Sequence, residues 1–221
     1  MRVALAATGD ELVPPGASVG PAQLPEANGA MLKALLADLS VTTQDLGILP
    51  DDLAVQTKAL GAVAADVLVT SGGASVGDHD LVRPALQAAG GSVDFWRIAM
   101  RPGKPLMAGR LGEAVVLGLP GNPVSAFVTA LLFLRPLIAA MAGAADPLPR
   151  RRRALLGAAL PANDAREDYL RGAWVAGAVV PAPVQDSAML RALAEAACLI
   201  IRPAHAPPAM PGDSVEILDL A

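Results

Sequence analysis

Cysteine, histidine and aromatic side chains are scarce in this chain. A single cysteine, Cys198, among 221 residues excludes an intrachain disulfide and any multi-cysteine metal site. It fits a reducing compartment, so a cytoplasmic location is expected. His79 has no second histidine beside it, and so reads as a solvated loop residue before it reads as a metal ligand. Basic residues are in deficit: a net charge of −4 argues against a general nucleic-acid surface. The one basic run, Arg150–Arg153, reads as a solvated linker. The apolar start, MRVALAATGDE, is too short for a signal peptide and is followed by acids. Arg135-Pro136 interrupts the most apolar window, 126–143, leaving pieces below the ~20 residues of a bilayer span. A buried core helix is expected there, and no membrane partner.

What is present is apolar residue, at 53% against 17% charged. A chain of this mass buries roughly 70–75% of its unfolded surface and needs no covalent staples. Buried strands are expected at 2–8, 41–50, 66–72, 92–100 and 114–120. Helices are expected at 28–39, 51–65, from Asp80, and at 122–143. Asn28 is a plausible N-cap, and Asp51 and Asp52 stand at the positive end of their helix. This alternation predicts an α/β three-layer domain with a mostly parallel sheet over 1–145. At 144–153 a linker is expected. Short strands at 153–160, 169–180, 197–203 and 214–220, with one helix at 187–196, predict a small C-terminal β-barrel-like domain over 146–221.

Ligands of parallel sheets bind beyond the C-terminal ends of strands. Four loops fall there: Thr8-Gly9-Asp10-Glu11, Pro50-Asp51-Asp52, the stretch Ser71–Asp80, and Gly121-Asn122-Pro123. Gly72 and Gly73 permit close backbone approach, and helix-start N–H groups suit an anion. Asp78 and Asp80 repel bare anions. The two tendencies fit together if a divalent cation lies between them; a tight turn capped by an aspartate is the plainer alternative. Arg101-Pro-Gly103-Lys104-Pro adds a stiff basic turn able to meet an oxyanion, or simply to face solvent. Pro120-Gly121-Asn122, with Ser125 in the following helix, is an anion pocket or an ordinary strand-to-helix turn. Ser75 and Ser125 have no histidine in their motifs, so no activated nucleophile is evident.

Six ordered stretches together resemble one family: TGDELV (8–13), NGAML (28–32), ILPDD (48–52), TSGGASVGDHD (70–80), MRPGKPLMAGRL (100–111) and GLPGNPVSAFVTALLFLRPLI (118–138). They are similar to the molybdopterin molybdenumtransferases, the MoeA and gephyrin E-domain family, and REDYLRG (166–172) and residues 185–203 resemble its C-terminal domain. The resemblance implies insertion of molybdenum from molybdate into adenylylated molybdopterin, with release of AMP. Carried residue by residue, it implies catalytic Glu11, Asp51, Asp80 and Lys104, with Mg²⁺ on Asp51, Asp80 and Glu11. It implies pterin-phosphate or molybdate contacts from Thr8, Gly9, Asp10, Ser71, Gly72, Gly73, Ser75, Gly77, Asp78, Arg101, Gly103, Pro120, Gly121, Asn122 and Ser125, and from Arg171 and Ser187 of the second domain. Position 101 is commonly Lys in the family. The family's N-terminal region with its SAMDGYA-like motif is not in this sequence, so the homodimer the resemblance implies is expected to be weaker. Two alternatives stand beside this reading: the preceding adenylyltransferase, and a pterin-binding module without turnover.

Overall fold

The computed structural model describes residues 1–73, 81–96 and 98–220, apart from the side chains of Phe95 and Trp96. Strand β1 (Arg2–Thr8) sends Val3 and Leu5 to one face and Ala4 and Ala6 to the other. A Pro- and Gly-rich excursion follows, tied by the short parallel pair β2 (Leu12–Val13) and β3 (Leu24–Pro25). Then come α1 (Asn28–Leu35), β4 (Thr42–Leu49) and α2 (Leu53–Gly61). The last of these starts where the Asp52 side chain accepts the Val55 N–H at 2.9 Å, satisfying one of the orphan donors of a helix start. Strand β5 (Val67–Ser71), buried throughout, leads through the glycine loop to α3 (Val82–Ala88). Strands β6 (Ser92–Trp96), β7 (Met100–Arg101), β8 (Met107–Leu111) and β9 (Ala114–Leu119) precede α4 (Pro123–Thr129). The latter runs through a wider π-helical turn at Ala130–Leu134 into α5 (Arg135–Met141).

The first sheet has the order β4-β1-β5-β9-β8-β6. Its first four strands are parallel and β8 and β6 close one edge antiparallel. One face buries Val3, Leu5, Val67, Val69 and Leu119 against Leu32, Leu36, Leu134 and Ile138 of the α1 and α4–α5 side. The other buries Ala4, Ala6, Leu68 and Val116 against Leu60, Val82 and Leu86 of α2 and α3. This is the three-layer α/β arrangement expected from the strand–helix alternation. The 123–141 helix is long and apolar enough to cross a membrane by length and composition, yet Val124, Val128, Ala130 and Leu134 are all buried in the protein core. Arg135-Pro136 does not break it: Pro136 sits where the π-turn hands over to α5, and Arg135 donates to both carboxylate oxygens of Asp38.

The second unit contains β10 (Arg152–Leu155), β11 (Glu167–Val175), β12 (Ala178–Pro181), α6 (Leu190–Ala194), β13 (Cys198–Arg202) and β14 (Ser214–Asp219). The order β10-β14-β13-β11-β12 curls until the chain just past β10 reaches β12, where Leu156 bridges Val179 and the Gly157 N–H donates to the Val179 carbonyl at 2.8 Å. The result is barrel-like. Val124 and Val128 of α4 pack with Met100 against Tyr169, Leu199, Ile201 and Leu218, so the two units share an apolar interface.

Several expectations are corrected. Residues 92–100 are two strands in two sheets, because Met100–Arg101 pairs in parallel with Glu167–Asp168. Strand β8 was not anticipated. Residues 169–180 form a hairpin turned at Ala176 and Gly177, both at positive φ. Helix α1 ends at Leu35, and Asn28 does not cap it: the N-cap is Ala27, without a side-chain bond. The basic run is not a solvated linker throughout. Arg152 lies in β10, pairs with Asp219 at 2.5 Å and stands 4.9 Å over the Trp174 ring, while Arg151 reaches Glu167 and Glu216 at 3.5 Å.

Leu134 is fully buried beside the π-turn. Leu134→Ala is expected to cost about 2–5 kcal/mol, read as a lowered urea midpoint; a loss below about 1 kcal/mol would show that the helix repacks freely.

Candidate functional site

Parallel register brings four strand ends to one edge. Thr8 pairs with Leu49, Ala7 with Ser71, and Ser71 with Leu119. The ladder runs one residue further, with the Gly9 N–H on the Leu49 carbonyl at 3.4 Å and the Gly72 N–H on the Leu119 carbonyl at 3.2 Å. Thr8, Asp51, Ser71-Gly72-Gly73 and Pro120-Gly121-Asn122 therefore lie side by side. A cleft of about 390 Å³ adjoins this edge, lined by Leu5, Ala7, Leu12, Glu26, Ile48 and Ser71.

The glycines are dictated by crowding. Gly72 has φ +93°, and a Cβ there would lie 2.5 Å from the Thr8 carbonyl oxygen, a backbone atom that cannot swing away. Gly73, at φ +60°, would drive a Cβ into Val82 and to 3.0 Å from Thr8 Oγ1. Thr8 Oγ1 is buried and has no hydrogen-bond partner among the described residues.

Two acidic loops are stitched together. The Asp51 N–H donates to Asp10 Oδ1 at 2.9 Å, and the Asp10 N–H makes a longer contact of 3.4 Å with Asp51 Oδ2. The Glu11 carboxylate folds over Gly9, filling the space where a Cβ would be. Glu11, Asp10 and Asp51 are exposed. Among the described residues, no three acidic or histidine side chains gather closely enough to cage a metal alone. The donors do suit Mg²⁺ in its usual mode, one or two carboxylates completed by substrate phosphates and water.

Not every helix-start N–H is available to an anion. Val55 N–H is taken by Asp52, and Val124 N–H by the Ser187 carbonyl at 3.0 Å. The Pro120–Asn122 turn is thus held by the second unit, since Asn122 Nδ2 also donates to Ser187 Oγ at 2.9 Å. Ser125 is buried in the first turn of α4. Arg171 is 1% exposed and donates to the Val184 and Asp186 carbonyls at 3.2 and 3.1 Å; burial holds its guanidinium below the usual arginine range. It shapes the 184–187 loop that carries Ser187. Asn28, missed as a site residue, sends its amide to Ser71 Oγ and the Gly121 carbonyl. Only its place in the NGAML stretch signalled it.

The basic turn lies against the same helix. A Cβ on Gly103 would meet Thr129 Cγ2 at 2.5 Å and the Ser125 carbonyl at 3.8 Å. Lys104 is exposed and has no ion-pair partner among the described residues. Arg101 differs: its guanidinium grips the buried Asp168 through two nitrogens and approaches Asp164 at 3.5 Å. Hydrogen bonding to Asp168 raises its pKa further. In this structure its charge is spent on the second unit. Ser75, Gly77, Asp78 and Asp80 lie outside the described residues.

Comparison with known proteins is consistent along the chain. Residues 4–140 match the family model described as "Probable molybdopterin binding domain", and residues 153–220 match the MoeA C-terminal region, domain IV. A "Molybdopterin molybdenumtransferase" from Haemophilus influenzae is 42% identical over 145 residues, covering 65% of this chain and 36% of that protein. "Molybdopterin molybdenumtransferase 2" of Mycobacterium tuberculosis is 35% identical over 228 residues, covering 99% and 56%. A crystal structure of a molybdopterin biosynthesis MoeA protein from Pyrococcus horikoshii superposes with a TM-score of 0.85 at 26% identity, covering 100% of this chain and 54% of that one. The chain therefore spans about half the length of relatives that match it throughout.

Cys198 is fully buried and its thiol is pushed up to about 11, chiefly by burial. At pH 7.5 it is protonated and is expected not to react with a thiol-specific disulfide reagent until the chain is unfolded. Stoichiometric labelling of the native protein within minutes would reopen the case for a cysteine nucleophile.

Proposed function

This chain belongs to the molybdopterin-binding domain family, with a MoeA-type C-terminal region, and we propose that it inserts molybdenum from molybdate into adenylylated molybdopterin and releases AMP, a step of molybdenum cofactor biosynthesis. The observation that carries this reading is the convergence of Thr8, Asp51, Ser71-Gly72-Gly73 and Pro120-Gly121-Asn122 on one sheet edge. Glycines at 72 and 73 let the loop backbone close against Thr8 and Val82, where any side chain would clash.

Each element then has a task. The loop that continues from Gly72-Gly73, with Ser71, Ser75 and Gly77, receives the pterin and its phosphates, and the Pro120–Ser125 turn closes the other side. Lys104, exposed in the turn whose Gly103 packs on Thr129 of α4, neutralises charge that develops on the phosphate as AMP departs. Glu11 and Asp51, with Asp80 of the glycine loop, would supply carboxylates to this step, with Asp10 bracing Asp51 and Asp78 in the same loop as Asp80. Mg²⁺ held there would neutralise phosphate oxygens and polarise the phosphoanhydride. Molybdate, a tetrahedral dianion, is substrate. Arg101, engaged with Asp168, acts in this reading by fixing the turn that carries Gly103 and Lys104. Ser187 and Arg171 fix the far wall of the site. A cytoplasmic homodimer acting on small molecules, with no nucleic acid or membrane partner, completes the proposal.

Asp51→Asn should leave the fold intact and lower AMP release from adenylylated molybdopterin with molybdate and Mg²⁺ by about 10²-fold or more. Asp80→Asn should do the same. Turnover at the wild-type rate in both variants would remove the carboxylates from the mechanism. Chelation of divalent ions should abolish wild-type turnover, and magnesium should restore it.

A further inference from the structure

We propose that Asn28 is a positioning residue, pinning two ligand loops together and aiming two of their hydrogen-bond donors at an anionic ligand. The inference rests on the functional reading above for the identity of that ligand, but its geometry is independent of it. Asn28 opens α1, yet its side chain does nothing for that helix. It is 8% exposed, and its Nδ2 donates to Ser71 Oγ at 2.6 Å and to the Gly121 carbonyl at 2.7 Å. Both amide hydrogens are thereby spent on two different strand ends, β5 and β9. Those ends touch backbone to backbone: a Cβ built on Gly121 would lie 3.5 Å from Gly72 Cα.

Two orientations follow. A hydroxyl that accepts from Asn28 keeps its own proton for a different partner, so Ser71 can donate away from Asn28. A trans peptide places its C=O and N–H on opposite sides, so holding the Gly121 carbonyl inward turns the Asn122 N–H outward. Gly121 and Asn122 are exposed, so that N–H faces the open side of the turn. One side chain thus fixes a hydroxyl and an amide donor from separate loops. Few replacements can do this. Asp has the same shape and, ionised, no donor; it would set a carboxylate against the Gly121 carbonyl. Ser offers one donor on a shorter arm.

The test compares Asn28→Ala and Asn28→Asp with Leu36→Ala, which damages the buried core beside the end of the same helix and leaves the pin in place. Hydrogen–deuterium exchange is followed at the Ser71 and Gly72 amides, the second of which donates to the Leu119 carbonyl at 3.2 Å. Both Asn28 variants should exchange there at least about ten-fold faster than Leu36→Ala. Affinity for adenylylated molybdopterin, measured by calorimetry, should fall about ten-fold or more in the Asn28 variants only. If Asn28→Ala does not fold, Ser71→Ala cuts one of the two bonds from the other side and should speed exchange at Gly72 as well. Exchange in the Asn28 variants no faster than in Leu36→Ala, or no change in Ser71→Ala, overturns the proposal. A wild-type protein that binds no adenylate overturns the functional reading alone, because the exchange result needs no ligand.

Discussion

The register of four parallel strands is the constraint on which the rest depends. Because Thr8, Leu49, Ser71 and Leu119 end within one residue of one another, four chemically different loops begin at one edge. Apolar packing on both faces sets that register. A one-residue slip of β1 would exchange Val3 and Leu5 for Ala4 and Ala6 against α1 and α4–α5, and each face would lose its fit. Site geometry is thus a by-product of core packing, and the loops need only supply residues suited to a ligand.

The loops are then locked by short-range contacts of three kinds. Glycine at 72 and 73 lets backbone come within reach of Thr8. Asp10 and Asp51 hold the first two loops together through backbone N–H groups. Asn28 from below and Ser187 from the second unit fix the Pro120–Asn122 turn. That last bond gives the second unit a role at the site, since Arg171 shapes the loop bearing Ser187 and Arg101 clamps Asp168. With the shared apolar interface around Val124, Val128 and Leu199, these contacts hold the small unit against the Pro120–Asn122 turn and not as a loosely tethered appendage.

Much of this was legible in the residues, for identifiable reasons. Short apolar runs bounded by Gly, Pro and Asp mark β1, β5 and β9, and the loops after them stand out by composition. Strand β8 was hidden because Gly109 and Arg110 interrupt its short apolar run; Gly109 is there because the Ser92 backbone packs against it. The break inside 92–100 was hidden too, since apolar alternation runs on while pairing with Glu167 draws Met100 into another sheet. Asn28 looked like a cap because its partners, Ser71 and Gly121, are brought to it only by the fold. The basic run looked solvated because Asp219 and Glu216 lie at the far end of the chain. The fold's local periods could be read; its long-range polar pairings could not.

The central claim is that the shared strand edge holds the nucleotide-linked pterin. A crystal structure of the chain with AMP, Mg²⁺ and molybdate, with anomalous data at the molybdenum edge, tests it most directly. The account predicts nucleotide phosphate density against Ser71–Gly73 and the Pro120–Asn122 turn, with the molybdenum peak on that same edge. Ordered nucleotide and molybdenum in the apolar groove between Ala173, Val184, Met189 and Ala192 of the second unit, with the strand edge empty, would contradict it.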